Sequence, residues 1–241
     1  MRTYRCGTTE GEQPVDLIDP ICEPFPMRVD HLVWYSADLA EGERYFAEKM
    51  DCRAIYGGVH PGEGTRNSLF SLADTTYVEI LGSDPAQSQT SLAPELQSLT
   101  GTGIYHWAVG RSDLIDLRRR ALDARLDGSD IVTGGRALPN GRWLGWSLFG
   151  IRNHSFGALI PFFIDWGESQ HPAKTAPRGG SLASLDVSSP KPERLQEVYD
   201  ILGLNVTVAA ASTPGLSAIV ESRKGSTALR MLDPVPQGFV I

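Results

Sequence analysis

A tandem internal repeat restricts the folds open to this 241-residue chain more than any other feature of its sequence. Two segments carry the same order of elements: a short strand with a histidine, an amphipathic helix, and then further short strands. Asp38 follows His31 by seven residues, and Asp113 follows His106 by seven residues. Aspartate is a favoured helix N-cap, and a leucine opens the helical pattern after each of them. The repeat predicts two βαβββ modules.

Each module also ends in a strand that carries an acid between apolar neighbours. Glu79 follows His31 by 48 residues, and Asp165 follows His106 by 59 residues, a difference the size of a loop insertion. Charges placed mid-strand are costly to bury unless something compensates them. If the modules pair with two-fold symmetry, the two imidazoles and two carboxylates converge, and that donor set suits Zn, Ni, Co, Mn or Fe. We predict one divalent metal ion there; the alternative is that both acids pair with arginines at a sheet end.

The predicted fold class is α+β, with the paired modules followed by a degenerate third copy. The third copy has the same order of elements, but Ser184 stands where the other two have a histidine. A stretch with two prolines and two glycines precedes it and is typical of a linker. The predicted divisions are an irregular leader at 1–26, modules at 27–101 and 102–169, a linker at 170–180 and the degenerate module at 181–241.

The charge composition argues against some classes of binding partner. The chain has 22 Lys and Arg against 29 Asp and Glu, a formal net charge of −7, which argues against binding to nucleic acid or to an anionic membrane. No run of residues approaches the roughly 18 apolar positions that a membrane-spanning helix needs, and no secretory signal is recognisable. The three cysteines form no CxxC pair and are expected to be free thiols. We expect a soluble cytoplasmic protein with a small-molecule substrate, and homodimerisation is left open.

Two further patterns predict substrate contacts. Four glycines around Pro61 predict a tight loop whose backbone approaches a ligand, followed by donors suited to a carboxylate or a carbonyl group. Two tryptophans that alternate along a later strand predict an apolar wall. The alternatives are an ordinary hairpin loop and an ordinary sheet core. The predicted substrate-binding residues are His60, Arg66, Asn67, Trp143 and Trp146, while His154 and His171 have no partner pattern and receive no role.

Several segments together resemble the glyoxalase-like proteins of the vicinal oxygen chelate superfamily. In the first half these are DHLVW, GGVHPGEGTRNSLFSL and YVEILGSDP; in the second half they are YHWAV, GGRALPNGRWLGWSL and PFFIDWG. The resemblance covers about Val29 to Gly167. It implies that the paired modules curl into an open, cup-shaped β-barrel around a metal, with His31, Glu79, His106 and Asp165 as ligands. Asp165 departs from the pattern, because these proteins more often have glutamate there, so its shorter side chain either falls short of the metal or reaches it through water.

The resemblance implies a metal-dependent lyase or isomerase that acts on a small oxygenated compound. The metal would stabilise an enolate or a similar oxyanion, and Glu79 or Asp165 would transfer the proton. One alternative is a ring-cleaving dioxygenase, in which His31, His106 and one carboxylate would hold Fe(II). The other is a protein that binds and sequesters a small molecule without chemistry.

Overall fold

The computed structural model of the chain describes residues 28–87, 96, 99, 101–138, 141–233 and 235–236. The predicted leader at 1–26 lies outside the described residues. In the part of the chain that is described, no helix is both long enough and apolar enough to cross a membrane.

The first module has the predicted order of elements. They are β1 (Val29–Ser36), α1 (Leu39–Met50), β2 (Ile55–His60), β3 (Thr65–Ala73) and β4 (Thr76–Ser83). The side chain of Asp38 accepts a hydrogen bond from the Ala40 amide, so the predicted N-cap is present. Leu39, Phe46 and Met50 form the buried face of the helix.

The second module repeats this order with additional short strands. Its elements are β5 (Thr102–Gly110), α2 (Leu114–Asp123), β6 (Asp127–Gly128), β7 (Val132–Ala137), β8 (Trp143–Phe149), β9 (Ile151–Arg152) and β10 (Phe162–Asp165). Asp113 stands at the N-cap position of α2, but its carboxylate binds the Arg111 guanidinium instead of a helix amide. The last strand begins later than its apolar run suggests, because a 3-10 turn at Gly157–Leu159 and Pro161 precede it.

The two modules form one eight-stranded sheet that nearly closes into a barrel. Its strand order is β2-β3-β4-β1-β5-β10-β8-β7, with β1 and β5 antiparallel at the centre. Alternate residues of each strand face opposite sides of the sheet, so one set packs beneath the helices and the other faces the inside of the cup. Leu32 and Trp34 belong to the helix-side core, whereas Val33 and Tyr35 belong to the inner cluster. The α+β class and the paired-module cup are therefore confirmed.

A separate four-stranded sheet follows. Its elements are β11 (Ser181–Ser189), α3 (Pro192–Leu202), β12 (Val208–Ala210), β13 (Gly215–Ser222) and β14 (Gly225–Arg230). The order of elements is again βαβββ, but the strand order is β12-β11-β13-β14. The first strand of this unit pairs with its second and third strands, whereas β1 pairs with β4. The third copy thus shares the order of elements of the other two and not their pairing.

The predicted linker at 170–180 is packed against the barrel. The amide of Ser71 on β3 donates to the carbonyl of Pro177, and the amide of Gly179 donates to the carbonyl of Ser71, both at 2.8 Å. His171 and Ala173 are buried. This segment therefore forms part of the wall behind β3 and β4.

Candidate functional site

The pairing of β1 with β5 shows which residues of the two modules are equivalent. Each strand carries one extra residue at a shift in the register: Asp30, just before His31, and Tyr105, just before His106. Such a bulge turns the following side chains relative to a regular strand. Because both bulges stand at the same place in the repeat, the two histidines are equivalent in space as they are in sequence.

The same register corrects the equivalence of the acids. Val33, two residues after His31, lies opposite Glu79 on β4. Ala108, two residues after His106, lies opposite Phe162 on β10. Phe162, and not Asp165, is therefore the counterpart of Glu79.

Asp165 lies on the other face of β10. The strand alternates, and Phe162 and Ile164 line the interior of the cup. The carboxylate of Asp165 accepts a hydrogen bond from the Gly167 amide at the exposed end of the strand. The structure does not bring Asp165 together with His31 and Glu79.

The interior of the cup contains a cavity of about 310 Å³. Its wall is mainly apolar and includes Trp146, Phe162 and Trp166. Its polar lining groups are His31, His60, Glu63, Asn67, Tyr77, Glu79 and Arg136. A concave apolar pocket with a few converging polar groups is the usual form of a small-molecule site.

A buried carboxylate holds His31 in one orientation. Asp30 is fully buried and accepts hydrogen bonds from His31 Nδ1 at 2.8 Å, His171 Nε2 at 3.1 Å and Trp166 Nε1 at 3.2 Å. Burial raises the pKa of Asp30, but the hydrogen bonds from the two histidines outweigh it and lower the pKa to about 2. Asp30 is thus ionised and can only accept, so His31 donates to it through Nδ1. Nε2 of His31 faces Glu79, whose Oε2 is 3.6 Å away.

A second chain of contacts fixes Glu79. Asn67 Nδ2 donates to Glu79 Oε1 at 2.6 Å and lies 3.2 Å from His60 Nε2, while His60 Nδ1 lies 2.7 Å from the Thr65 hydroxyl. Gly57 is required here, because a Cβ at that position would collide with the Asn67 side chain. The predicted substrate residues His60 and Asn67 therefore lie in the cavity.

Strand alternation places one of the other predicted substrate residues in the cavity and two outside it. Trp146 lines the cavity, whereas Trp143 on the same strand is 68% exposed and lies outside it. Arg66 neighbours Asn67 on β3, so its side chain takes the opposite face, and it does not line the cavity.

His106 faces a different cavity. It shares that second space with His154, and the ring of Phe162 borders both cavities. The Phe162 ring centroid lies 5.4 Å from that of His31 and 5.3 Å from that of His106. Burial lowers the pKa of His106 to about 4, and its Nδ1 lies 3.0 Å from the carbonyl oxygen of Trp107.

Comparison with known proteins gives the family. A sequence profile described as "Glyoxalase-like domain" matches residues 29–203. The chain belongs to this glyoxalase-like family. No curated protein sequence matches it.

A solved structure shares the fold of this glyoxalase-like protein, and others align with lower scores. A hypothetical protein from Staphylococcus aureus aligns with a TM-score of 0.61 at 16% identity, over 78% of this chain and 88% of that one. A methylmalonyl-CoA epimerase from Streptomyces coelicolor aligns with a TM-score of 0.43 at 16% identity, over 60% and 98%. One from Mycobacterium tuberculosis aligns with a TM-score of 0.42 at 15% identity, over 58% and 87%.

The donor set of this glyoxalase-like cup does not fit the four-ligand metal site that the sequence predicts. Of the four residues, His31 and Glu79 come together, His106 lines the second cavity beside Phe162, and Asp165 lies on the other face of its strand. Among the described residues, no group of three or more His, Cys, Asp or Glu side chains is arranged to hold a metal ion. The iron triad of the dioxygenase alternative meets the same obstacle, since it needs both histidines.

Five polar residues of the site escape the sequence patterns: Asp30, Glu63, Tyr77, Arg136 and His171. Asp30 adjoins a predicted ligand, but only the bulge turns its carboxylate toward the His31 ring. His171 comes from the predicted linker, far away in sequence. Arg136 lies on β7, for which no strand was predicted, and its alternation with Val132 would have been the only available signal.

Proposed function

We propose that this glyoxalase-like protein catalyses proton transfer at a carbon next to a carbonyl group of a small oxygenated compound, as an isomerase or lyase. The observation that supports the proposal is the pair formed by Asp30 and His31 at the wall of an apolar cavity. A buried carboxylate that holds a histidine in one tautomer orients the free nitrogen and stabilises the imidazolium that forms.

In this mechanism His31 Nε2 takes the proton from carbon. The C–H bond breaks, its electron pair moves into the enolate, and the positive charge on the imidazole is balanced by Asp30 through Nδ1. A proton from a second group then adds to the same carbon on the other face, or His31 returns its proton to a neighbouring atom. Glu79 Oε2, 3.6 Å from Nε2 and oriented by Asn67, is the second group that receives or supplies a proton.

The metal dependence predicted from the sequence requires ligands beyond His31 and Glu79. Since the described residues do not bring such ligands together, no step of the proposal passes through a metal. A non-catalytic binding protein is the second candidate. Two observations support it: the set of metal ligands is incomplete, and the cavity is mainly apolar.

Solvent exchange separates these functions. The purified protein is incubated in D2O with a panel of small 2-oxo and 2-hydroxy compounds, with and without added Zn, Ni, Co, Mn or Fe, and C–H exchange is followed by NMR. We expect exchange without added metal, with a loss of about 10²-fold or more in His31→Gln. His154→Gln, which removes a histidine from the second cavity, is the matched control and should exchange at the wild-type rate.

Three outcomes would overturn the proposal. Exchange that requires added metal would restore the metal-dependent mechanism. Unchanged exchange in His31→Gln would remove the assigned base. Binding of panel compounds without any exchange would leave the sequestering function.

A further inference from the structure

A buried guanidinium lies in the wall of the cavity, and none of the described carboxylates is within ion-pair distance of it. Arg136 is 7% exposed, and its Nη1 has no hydrogen-bond partner among the described residues. Glu79 acts on it only at a longer range than that of an ion pair, and burial lowers the pKa of Arg136. An arginine nevertheless stays protonated in a protein, so this charge is desolvated and poorly compensated.

The strand pairing points this side chain into the cavity. Along β7, Val132 and Arg136 lie on the same face, and both line the cavity. Their partners on β8 are Leu148 and Leu144, and Trp146 lies between these two. The guanidinium is therefore the polar end of an apolar wall.

The opposite edge of the sheet leaves room for Arg136. Gly58 on β2 has a φ of +144°, and a Cβ there would lie 2.5 Å from Arg136 Nη1. β2 and β7 are the two edge strands of the nearly closed barrel. The glycine pair of β2 thus accommodates Asn67 at one position and Arg136 at the next.

We propose that Arg136 binds the carboxylate of the substrate, which is a small apolar monocarboxylate. This deepens the proposed function, on which it rests, because it names the substrate class of the same cavity. A carboxylate matches the planar fork of a guanidinium and supplies the missing counter-charge. A doubly charged phosphate fits less well, because Glu63 and Glu79 line the same cavity. A cavity of about 310 Å³ is at the small end for ligand pockets, which limits the size of the molecule.

Binding of a matched acid and amide tests this assignment. Phenylacetate and phenylacetamide differ in charge and hardly in shape, and both are titrated by calorimetry, with tryptophan fluorescence as a second signal from Trp146 and Trp166. We expect the wild-type protein to bind the acid about tenfold more tightly than the amide, which corresponds to about 1.4 kcal/mol. Arg136→Gln should lose this preference and still bind the amide, whereas Arg119→Gln, an exposed helical arginine, should keep it.

The stability of an apolar variant is a second test, which does not depend on ligand binding by a misfolded variant. If Arg136 lacks a counter-charge in the free protein, Arg136→Met should unfold at the same or a higher denaturant concentration than wild type. A marked loss of stability in Arg136→Met would show that the charge is compensated within the fold and would overturn the proposal. Equal affinity for acid and amide, or no binding of the acid at millimolar concentration, would also overturn it.

The two proposals fail in different ways. His31→Gln should retain acid binding, because the base and the anion site are separate side chains. Arg136-dependent binding without exchange in the wild-type protein would refute the proton-transfer function and leave the carboxylate site. Exchange that proceeds equally in Arg136→Gln would refute the carboxylate site and leave the function.

Discussion

Asp30 shows how one buried side chain can determine both orientation and stability. Its carboxylate receives three N–H donors, from His31, Trp166 and His171, which come from two distant parts of the chain. Hydrogen bonds to an ionised group are among the stronger ones in proteins. The residue therefore ties β1 to the segment that follows β10 and also sets the tautomer of His31.

We expect Asp30→Asn to lower the free energy of unfolding at neutral pH by about 2 kcal/mol. In the unfolded chain this carboxyl takes up its proton near pH 3.8, and in the folded protein near pH 2. Its stabilising contribution is thus complete above pH 3.8 and is lost as the pH falls toward 2. Urea unfolding of wild type and variant at several pH values should give curves that converge in that window. Asp74→Asn, which removes an exposed carboxylate, is the control; a difference independent of pH would contradict the assignment.

At the level of elements, strand register decides which groups meet. The sequence predicted the repeat, the first helix cap and the equivalence of His31 and His106, because these depend on contacts close together in the chain. It could not predict that Phe162 is the counterpart of Glu79. The loops between α2 and β10 prevent the register of β10 from being predicted from the sequence. Aligning the acid of one module with an acid of the other selected Asp165, which lies three residues after Phe162. Bulges such as the one at Asp30 leave no mark in a pattern of apolar alternation.

The register predicts where a metal site could be rebuilt. Phe162→Glu would place a carboxylate at the position equivalent to Glu79, between His31 and His106. We expect this variant to bind about one zinc ion per chain, because the change completes a set of two imidazoles and two carboxylates. Metal analysis after dialysis against zinc measures the effect. Asp165→Ala should leave the zinc content of the wild-type protein unchanged, and a loss of bound zinc in that variant would contradict the register argument.

For the whole molecule, the C-terminal sheet is joined to the barrel through several contacts, some of them buried. The hydroxyl of Tyr199 on α3 donates to the carbonyl of Leu159 at 2.5 Å, and the amide of Leu232 donates to the carbonyl of Ile104 on β5. Lys224 Nζ binds the carbonyl of Glu48 near the end of α1, where the helix dipole favours a cation. These contacts predict that the two sheets unfold together.

We expect Tyr199→Phe to lower the free energy of unfolding by about 1 kcal/mol while keeping a single transition. The variant removes one of the two donors to the buried Leu159 carbonyl, the other being Trp107 Nε1 at 3.3 Å, without changing the shape of the core. Urea unfolding followed by both tryptophan fluorescence and far-UV circular dichroism should give coincident curves. Tyr56→Phe, at a position that is 54% exposed, should have almost no effect. Two separated transitions in the wild-type protein would show that the sheets are independent.

The ring of Phe162 has a consequence for stoichiometry. A duplicated module would by itself build a receptacle with two equal halves, each able to act on a ligand. One benzyl group standing between the halves removes that equality and leaves the acid–base pair on one side only. Each chain should therefore bind one ligand molecule, and the second module supplies the wall against which that ligand packs.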